Sequence, residues 1–476
     1  MTRIRVFRMF AIALLTVTAV CAAKSAHAQY SVLYNFGTGS GSPPEFPVGA
    51  IAQGRDCSLY GTTNSGGANN AGTVFKITPA GKLLVLYSFC SQASCADGST
   101  PLGGLTLRPD GHFIGTTSAG ASHNAGTIFD ISQTGTLTTL YTFTNGTDGG
   151  APRAAPILGP DGEFYGTTTT GGAPSSCGTI YRLSATFSVL HDFNRVLGCE
   201  PLVPLVLGTD GSFYGTTIGG GMTGLGVIFK ATYRPGLAPL FTVLNNIDGT
   251  TLASPQAPLI EGSDGNFYGT TSGGGPGNNG VIFKMTPSGS VSVLHNLNGT
   301  TDGSGPLTGL VQATDGNFYG TASSGGSTSG DCIGEGCGTL FQVTQAGGFL
   351  VLNTFDSFTG SAPSSTPFQH TNGLLYGEAG TGGFGLAGVF YSWNGSLPPF
   401  VSTVQSMGAV GSSVEILGQG FTSTTTVSFN GVAATATVQS GTSLTATVPA
   451  GAATGFITVT TSSGTLTSNK QFVVTP

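Results

Sequence analysis

Short runs of β-branched and aromatic residues alternate along most of the chain with clusters of Gly, Asp, Asn and Ser. Two of these runs, Gly72–Ile77 and Leu83–Phe89, are separated by a short turn. Apolar runs of this length between turn residues predict β-strands. No stretch repeats its apolar residues at helical spacing over a comparable length. The hydrophobic pattern therefore predicts an all-β protein.

The runs are grouped in a repeat that is marked by Tyr-Gly-Thr-Thr or a close variant. The Gly of this motif stands at positions 61, 115, 166, 215, 269, 320 and 377, at intervals of 49 to 57 residues. A Pro always lies fourteen residues before it. Five residues before it stand Asp56, Asp110, Asp161, Asp210, Asp264, Asp315 and Asn372. Two fixed offsets in every copy establish seven equivalent units.

Each unit contains four predicted strands, and an Asp-Gly pair lies between the first and the second in most copies. We expect a type I′ hairpin turn there, with positive φ at both central residues. The Asp side chain bonds to nearby backbone in such turns, which predicts a structural role. Calcium binding is the alternative, but no copy has the Asp-x-Asp-x-Asp-Gly spacing that brings several oxygen ligands together. A second set of turns follows the fourth strand, at Asp97, Asp148, Asp248 and Asp302.

The arrangement of the fourth strand predicts a closed ring. Its motif first appears before any complete unit, as Val32–Phe36, and it is missing after the last unit, where Gly388–Tyr391 leads directly to Trp393. A linear solenoid has no reason for this displacement. We therefore predict a seven-bladed β-propeller in which the N-terminal strand completes the last blade.

The two ends of the chain predict further segments. Arg3, Arg5 and Arg8 precede an apolar stretch, and Ala26-His27-Ala28 resembles a cleavage site, so residues 1–28 are predicted to be a secretory signal peptide. Residues 30–395 are predicted to form the propeller and 396–399 a Pro-rich linker. Residues 400–476 alternate apolar residues with Thr and Ser, which predicts a β-sandwich. We expect a secreted or cell-surface protein without a transmembrane segment in the mature chain, with the periplasm as the alternative.

The charge composition excludes two classes of binding partner. Removal of residues 1–28 takes away four basic and no acidic residues, which leaves 11 basic and 21 acidic residues. Nucleic acids and anionic membrane surfaces require clustered Lys and Arg, so neither is predicted as a partner.

The cysteines predict disulfides. Cys90 and Cys95, and likewise Cys332 and Cys337, are close enough in sequence to bridge single loops, and an antiparallel hairpin would bring Cys177 to Cys199. Cys57 is left over. No His stands near any pair, so we predict neither a metal site nor a cofactor.

Two family resemblances follow from these motifs. The Leu-Tyr-x-Phe, Asp-Gly-x-Phe-Tyr-Gly-Thr-Thr and Gly-Thr-Val-Phe elements resemble the GloVer tandem repeat of "choice-of-anchor" exported bacterial proteins, over about residues 31–391. The segments 411–421, 427–431, 444–451 and 455–459 resemble an immunoglobulin-like IPT/TIG domain. The first resemblance implies export and the second implies a spacer or adhesive module. Neither implies a particular activity.

Candidate chemistry is sparse. Glu378 replaces the first Thr of the repeat motif and is the predicted ligand contact, with sequence drift in a terminal repeat as the alternative. The leading hypothesis is a non-enzymatic binding protein whose ligand is a glycan or a protein. A propeller enzyme of the polysaccharide lyase or glycoside hydrolase type is one alternative, which requires converging carboxylates. A purely structural spacer is the other. No catalytic residue is predicted.

Overall fold

The computed structural model describes residues 29–39, 41–326, 332, 334 and 336–475. The predicted signal peptide therefore lies outside the described residues. Within them there is no α-helix, and Ala93–Cys95 form a 3-10 turn. No helix in this part of the chain is long and apolar enough to cross a membrane. The prediction of an all-β protein is confirmed.

The described part of the chain begins with strand β1 (Gln29–Asn35) and continues into six four-stranded antiparallel sheets. In each of them, strands adjacent in sequence are paired. Sheets one and two contain β2 (Pro44–Gln53), β3 (Leu59–Gly66), β4 (Thr73–Ile77), β5 (Leu83–Ser88), β6 (Leu105–Leu107), β7 (Phe113–Thr117), β8 (Thr127–Ile131) and β9 (Leu137–Thr142). Sheets three and four contain β10 (Ile157–Leu158), β11 (Phe164–Thr168), β12 (Thr179–Leu183), β13 (Phe187–Asp192), β14 (Val206–Leu207), β15 (Phe213–Thr217), β16 (Val227–Thr232) and β17 (Leu240–Asn246). Sheets five and six contain β18 (Ile260–Glu261), β19 (Phe267–Thr271), β20 (Val281–Met285), β21 (Val291–Asn296), β22 (Val311–Gln312), β23 (Phe318–Ala322), β24 (Thr339–Val343) and β25 (Phe349–Thr354).

The seventh sheet combines the two ends of the repeat region. It contains β26 (Ser361–Pro363), β27 (Phe368–Gln369), β28 (Leu375–Thr381) and β29 (Val389–Asn394), and its outer strand is β1. β1 pairs antiparallel with β29, from Gln29 opposite Asn394 to Asn35 opposite Val389. The displaced fourth-strand motif therefore occupies the place that the sequence predicts. Phe36, Phe75 and Phe390 share one buried cluster, so the seventh sheet also packs against the first.

The remaining residues form two further sheets around one core. Their strands are β30 (Ser402–Thr403), β31 (Met407–Ala409), β32 (Ser413–Leu417), β33 (Thr426–Phe429), β34 (Val432–Ala434), β35 (Ala436–Ser440), β36 (Ser443–Thr447), β37 (Gly455–Thr461) and β38 (Gly464–Thr475). One sheet has the order β30-β32-β36-β35 and the other β31-β38-β37-β33-β34. Ile416 and Leu444 from the first sheet pack with Phe429 and Ile457 from the second.

The repeat motif is explained by two aromatic contacts. The Tyr before the motif Gly packs on a Phe of the following sheet, with ring centroids 4.2 Å apart for Tyr60 and Phe113 and 4.0 Å apart for Tyr268 and Phe318. The Gly itself lies under an aromatic ring of the neighbouring third strand. A Cβ atom on Gly61 would lie 2.6 Å from the Phe75 ring, which is too close for any side chain. The motif therefore combines packing between sheets with packing inside a sheet.

The Asp of each unit caps the turn between the first and second strands, but not in the predicted way. Asp264 Oδ1 accepts a hydrogen bond from Asn266 N at 3.1 Å, which is an Asx turn. Gly265 has a φ of +74°, whereas Asp264 is not among the residues with positive φ. The type I′ prediction is therefore wrong. The turn bends through ordinary Asp geometry and needs only the Gly in the left-handed region, as in three-residue hairpin loops.

A second contact connects most of these acids to the sheet. The Tyr268 hydroxyl donates to Asp264 Oδ2 at 2.9 Å and Lys284 Nζ donates to the same oxygen at 2.7 Å. Burial alone would raise the pKa of Asp264, but the hydrogen bonds from Lys284 and Asn266 outweigh it and lower the pKa to about 2. Equivalent cations bind the turn acids of three other sheets, namely Lys76 at Asp56, Arg182 at Asp161 and Lys230 at Asp210.

We predict that Asp264→Asn destabilises the protein at pH 7 by about 1 kcal/mol, because the Asx turn is kept while the charge-assisted bonds are lost. The pKa of Asp264 is lower in the folded state, so its contribution is present above the unfolded value near 3.8 and is lost as the pH falls towards 2. Denaturant unfolding at both pH values measures the difference, which should vanish near pH 2. The control is Asp315→Asn, where the neutral Gln342 replaces the cation. An equal loss in both variants at pH 7 contradicts the prediction.

Candidate functional site

The seven sheets present two different ends. We call the end with the loops that follow second and fourth strands the loop face, and the end with the turns that follow first and third strands the turn face. Loops of neighbouring sheets meet on the loop face, where Ser99 forms a bridge with Ala119 and Cys199 with Gly219. The loop face is thus a continuous surface, built from Gly-rich segments that belong to all sheets.

Several acids of the loop face are engaged in holding their own loops. Asp97 is fully buried and accepts hydrogen bonds from Ser91 N at 2.9 Å and from the Tyr87 hydroxyl at 2.8 Å. In the fifth sheet the Tyr is replaced by His295, whose Nε2 lies 2.9 Å from Asp302. These acids act as loop caps, which agrees with their predicted structural role.

Three disulfides also reinforce the loop face. They join Cys90 to Cys95, Cys177 to Cys199 and Cys332 to Cys337. Cys57 is free and half-buried on the turn face. It has a φ of 62° and stands where the six other units have Gly, the residue that best suits this backbone geometry. The predicted pairings are confirmed.

Large apolar side chains are exposed on two neighbouring loops of the loop face, one that leads from the sixth to the seventh sheet and one that joins β28 to β29 within the seventh sheet. We call Phe358, Phe384 and Leu386 the seam patch; they are 66%, 81% and 72% exposed. A hydrogen bond of 2.8 Å from Gly383 N to Ser357 O holds their two loops together. Apolar residues so exposed on adjacent loops are typical of interaction surfaces rather than of solvated loops.

The turn face carries the C-terminal sheets. Arg55, in the turn of the first sheet, donates from Nε to Glu415 Oε1 at 2.7 Å and from Nη2 to Oε2 at 2.5 Å. The Thr442 hydroxyl donates to the Arg55 carbonyl at 2.5 Å. Leu417 packs in one cluster with Leu107 of the second sheet. A two-pronged Arg–carboxylate pair with an apolar contact beside it fixes the C-terminal sheets on this face.

A groove remains between the turn face and the C-terminal sheets. It encloses about 360 Å³ and is lined by the first-strand ends of sheets four and five together with residues of β31, β37 and β38. A neighbouring cavity of about 530 Å³ extends across the first strands of several sheets and shares Val206, Met407 and Lys470 with the groove. A third cavity of about 420 Å³ on this face is lined by Gln312, Phe400 and Asn469 among others.

The second sheet departs from the repeat at three positions together. Arg108 stands where five other units have Gly or Ala, Ile114 replaces the Tyr, and Asp130 stands where most units have Lys or Arg on the third strand. A Cβ atom at the equivalent Gly208 would lie 2.9 Å from the Tyr214 ring, so the smaller Ile114 makes room for Arg108. Arg108 binds Asp130, and His112 Nδ1 lies 2.6 Å from the same carboxylate. In this sheet the cation is Arg108 in the turn and the acid is Asp130 on the third strand, the reverse of the usual arrangement, and the two charges remain paired.

Glu378 is enclosed between the seventh and first sheets. It is 1% exposed, and neither carboxylate oxygen has a hydrogen-bond partner. Its Oε1 lies 3.1 Å from the position of a Cβ atom on Gly61 of the first sheet. Burial raises the pKa of Glu378 well above its usual value. In the first sheet the equivalent residue is Thr62, whose hydroxyl donates a hydrogen bond to the backbone carbonyl oxygen of Val48 at 3.0 Å. A ligand contact through Glu378 stays a prediction.

The other non-turn acids are spread over the molecule. Glu415 is paired with Arg55, Asp130 with Arg108, and Glu261 lines the groove; Asp331 and Glu335 lie outside the described residues. No group of three His, Cys, Asp or Glu side chains arranged to hold a metal ion occurs among the described residues. Sequence reasoning missed the seam patch and Lys470. The signal for the first was available, since Phe384 and Leu386 interrupt a Gly-rich loop.

The repeats also define a family. The Gloeobacter/Verrucomicrobia repeat matches residues 18–154, 92–238 and 210–449. The chain belongs to this family. The three matched segments together extend over most of the chain and include nearly all of the strands described above.

Comparison with curated proteins found no match. Among solved structures, a fungal alcohol oxidase of the AA5 family in complex with copper is similar at 15% identity, with 93% of this chain and 100% of that chain covered and a TM-score of 0.45. Puromycin hydrolase is similar at 14% identity, with 73% and 53% covered and a TM-score of 0.46. An auxiliary nutrient binding protein from Bacteroides ovatus is similar at 10% identity, with 62% and 74% covered and a TM-score of 0.38. At these values the similarities carry no inference about function.

We predict that Glu378→Gln stabilises the protein at pH 7 by at least about 1 kcal/mol, because the amide removes a buried group that resists ionisation. The pKa of Glu378 is raised in the folded state, so the stability of the wild type is complete below the unfolded value near 4.5 and decreases as the pH rises above it. Denaturant unfolding at pH 4 and pH 7 should therefore show a difference that grows with pH. Glu200→Gln, at an exposed position, is the control and should change little. A variant that is no more stable than the wild type at pH 7 contradicts this account.

Proposed function

We propose that this protein is an exported, non-enzymatic binding protein whose loop face holds a protein partner through the seam patch. In this proposal residues 1–28 are a signal peptide, residues 30–395 a seven-bladed β-propeller, 396–399 a linker and 400–476 an IPT/TIG-like immunoglobulin fold. Seven successive sheets, the pairing of β1 with β29 and the packing of the seventh sheet on the first support the propeller. Three disulfides support an oxidising compartment such as the cell surface.

The observation that carries the proposal is the exposure of Phe358, Phe384 and Leu386 on one side of the loop face. Aromatic and apolar side chains of this kind form the centres of protein interfaces, where a few of them supply most of the binding free energy. Val196 and Met222, which are 74% and 89% exposed, extend the apolar character to loops of the third and fourth sheets. The turn face, by contrast, is already occupied by the C-terminal sheets.

The charges favour this surface over a catalytic centre. Acids of the loop face such as Asp97 and Asp302 are used as caps inside their own loops. A glycosidase pair needs two carboxylates at most about 10 Å apart and facing a common space. A protein partner needs only a firm apolar patch, which the loop caps and disulfides keep in place.

The test compares Phe358→Ser/Phe384→Ser/Leu386→Ser with Leu84→Ser/Leu240→Ser/Leu350→Ser. The control residues are 58%, 56% and 56% exposed but lie on outer strands of three sheets. Binding of labelled protein 29–476 to surface proteins of the producing bacterium is measured by titration. We expect at least about a tenfold loss of affinity in the seam-patch variant and no loss in the control, since interface anchors each contribute more than about 1 kcal/mol.

Equal binding by the two triple variants contradicts a role of the seam patch. Glycan-array binding that is lost only in the seam-patch variant would assign the surface to a glycan instead of a protein. Release of oligosaccharides from a polysaccharide by the wild type would establish the enzymatic alternative.

A further inference from the structure

The groove under the C-terminal sheets contains an ammonium group without an ion-pair partner. Lys470 of β38 lines the groove, and no carboxylate of the described residues lies within 4.0 Å of its Nζ. Desolvation by the surrounding protein lowers the pKa of Lys470, and the negative charge of Glu261 acts in the opposite direction. Lys470 is nevertheless an exposed residue, and it lines the groove. A partly dehydrated cation facing an open cavity is well placed to bind an anion.

Glu261 supplies the opposite charge in a fixed position. Its carboxylate accepts hydrogen bonds from Thr209 N at 2.8 Å and from the Thr209 hydroxyl at 2.7 Å, which join sheets four and five. Burial raises the pKa of Glu261, while these bonds and Lys470 act in the other direction. Each carboxylate oxygen keeps a second lone pair for a hydroxyl of a ligand. The groove thus combines an available cation with a rigid acceptor.

The remaining walls suit a small hydroxylated molecule. Phe456 is 39% exposed and lines the groove together with Met407, which provides an apolar surface for C–H groups. Asn469 and Gln471 stand on either side of Lys470 and also line the groove. An apolar wall with a few placed polar groups is the usual composition of a small-molecule site. A volume of about 360 Å³ corresponds to a ligand the size of one or two sugar rings.

We propose that this groove is a binding site for a sugar acid, whose carboxylate pairs with Lys470 and whose hydroxyls donate to Glu261. The site is separate from the seam patch, because it lies on the turn face and uses residues of the C-terminal sheets. The ligand also touches both parts of the chain, so its binding stabilises the contact between the C-terminal sheets and the sheets four and five.

The experiment uses D-glucuronate as the probe and D-glucose as its neutral counterpart, each titrated into protein 29–476 by calorimetry or ligand-observed NMR. We expect glucuronate to bind with a dissociation constant below about 10 mM and at least about tenfold more tightly than glucose. Lys470→Met should abolish this preference, and Lys470→Arg should keep it because the positive charge remains. Lys82→Met, at an exposed turn of the first sheet, is the matched control and should bind as the wild type does.

A second measurement follows Lys470 itself. The rate at which an amine reagent modifies Lys470, read by mass spectrometry, should fall in the presence of glucuronate and remain unchanged with glucose. Absence of glucuronate binding to the wild type, equal binding of glucose, or unchanged binding by Lys470→Met each overturns the proposal. None of these outcomes bears on the seam patch, and a loss of seam-patch binding leaves the groove untouched.

Discussion

The contact between the motif Gly and the aromatic ring of the third strand determines how the sheets are built. At Gly61, Gly215 and Gly269 a Cβ atom would lie within 2.5–2.7 Å of a Phe ring, so the ring can lie flat across the second strand only where no side chain exists. The preceding Tyr then points to the following sheet, where it meets a Phe. Interior packing of proteins tolerates few voids, and this arrangement fills the space both inside one sheet and between two. The repeat is thus conserved within the chain because each copy must fit its own sheet and the next.

This constraint explains what the sequence made predictable. The fixed offsets of Pro, Asp and Gly identify the strands and their order, and the displaced Val32–Phe36 motif predicts the strand that pairs with β29. Local geometry was harder to predict. An Asp-Gly pair fits both a type I′ turn and an Asx-capped turn, and the choice depends on whether the Asp oxygen finds the backbone N–H two residues ahead. In the structure it does, as Asp210 shows with Ser212 N at 2.9 Å.

The candidate sites depend on contacts that no local pattern contains. Lys470 and Glu261 are more than 200 residues apart in sequence and meet in one groove only because the C-terminal sheets sit on the turn face. Glu378 was recognisable as an exception to the motif, but its enclosure between the seventh and first sheets follows from closure of the seam. The seam patch is the intermediate case. Its apolar residues are visible in the sequence, whereas their common location depends on two loops that a backbone hydrogen bond joins.

The two faces of the repeat differ in how their polar groups are used, and this difference separates structure from recognition. On the turn face the acids are tied to Tyr and Lys side chains of their own sheet, and Arg55 extends such ties to Glu415 in the C-terminal sheets. The second sheet keeps this balance even where Arg108 and Asp130 exchange the usual signs, because an unpaired half-buried charge would be costly. Lys470 lines the groove on this face, and among the described residues no carboxylate lies within 4.0 Å of its Nζ. On the loop face Asp97 and Asp302 are used as caps, and the seam patch leaves three large apolar side chains exposed. In the proposed function this patch excludes water against a partner, so that hydrophobic contact, rather than charge, is the basis of recognition there.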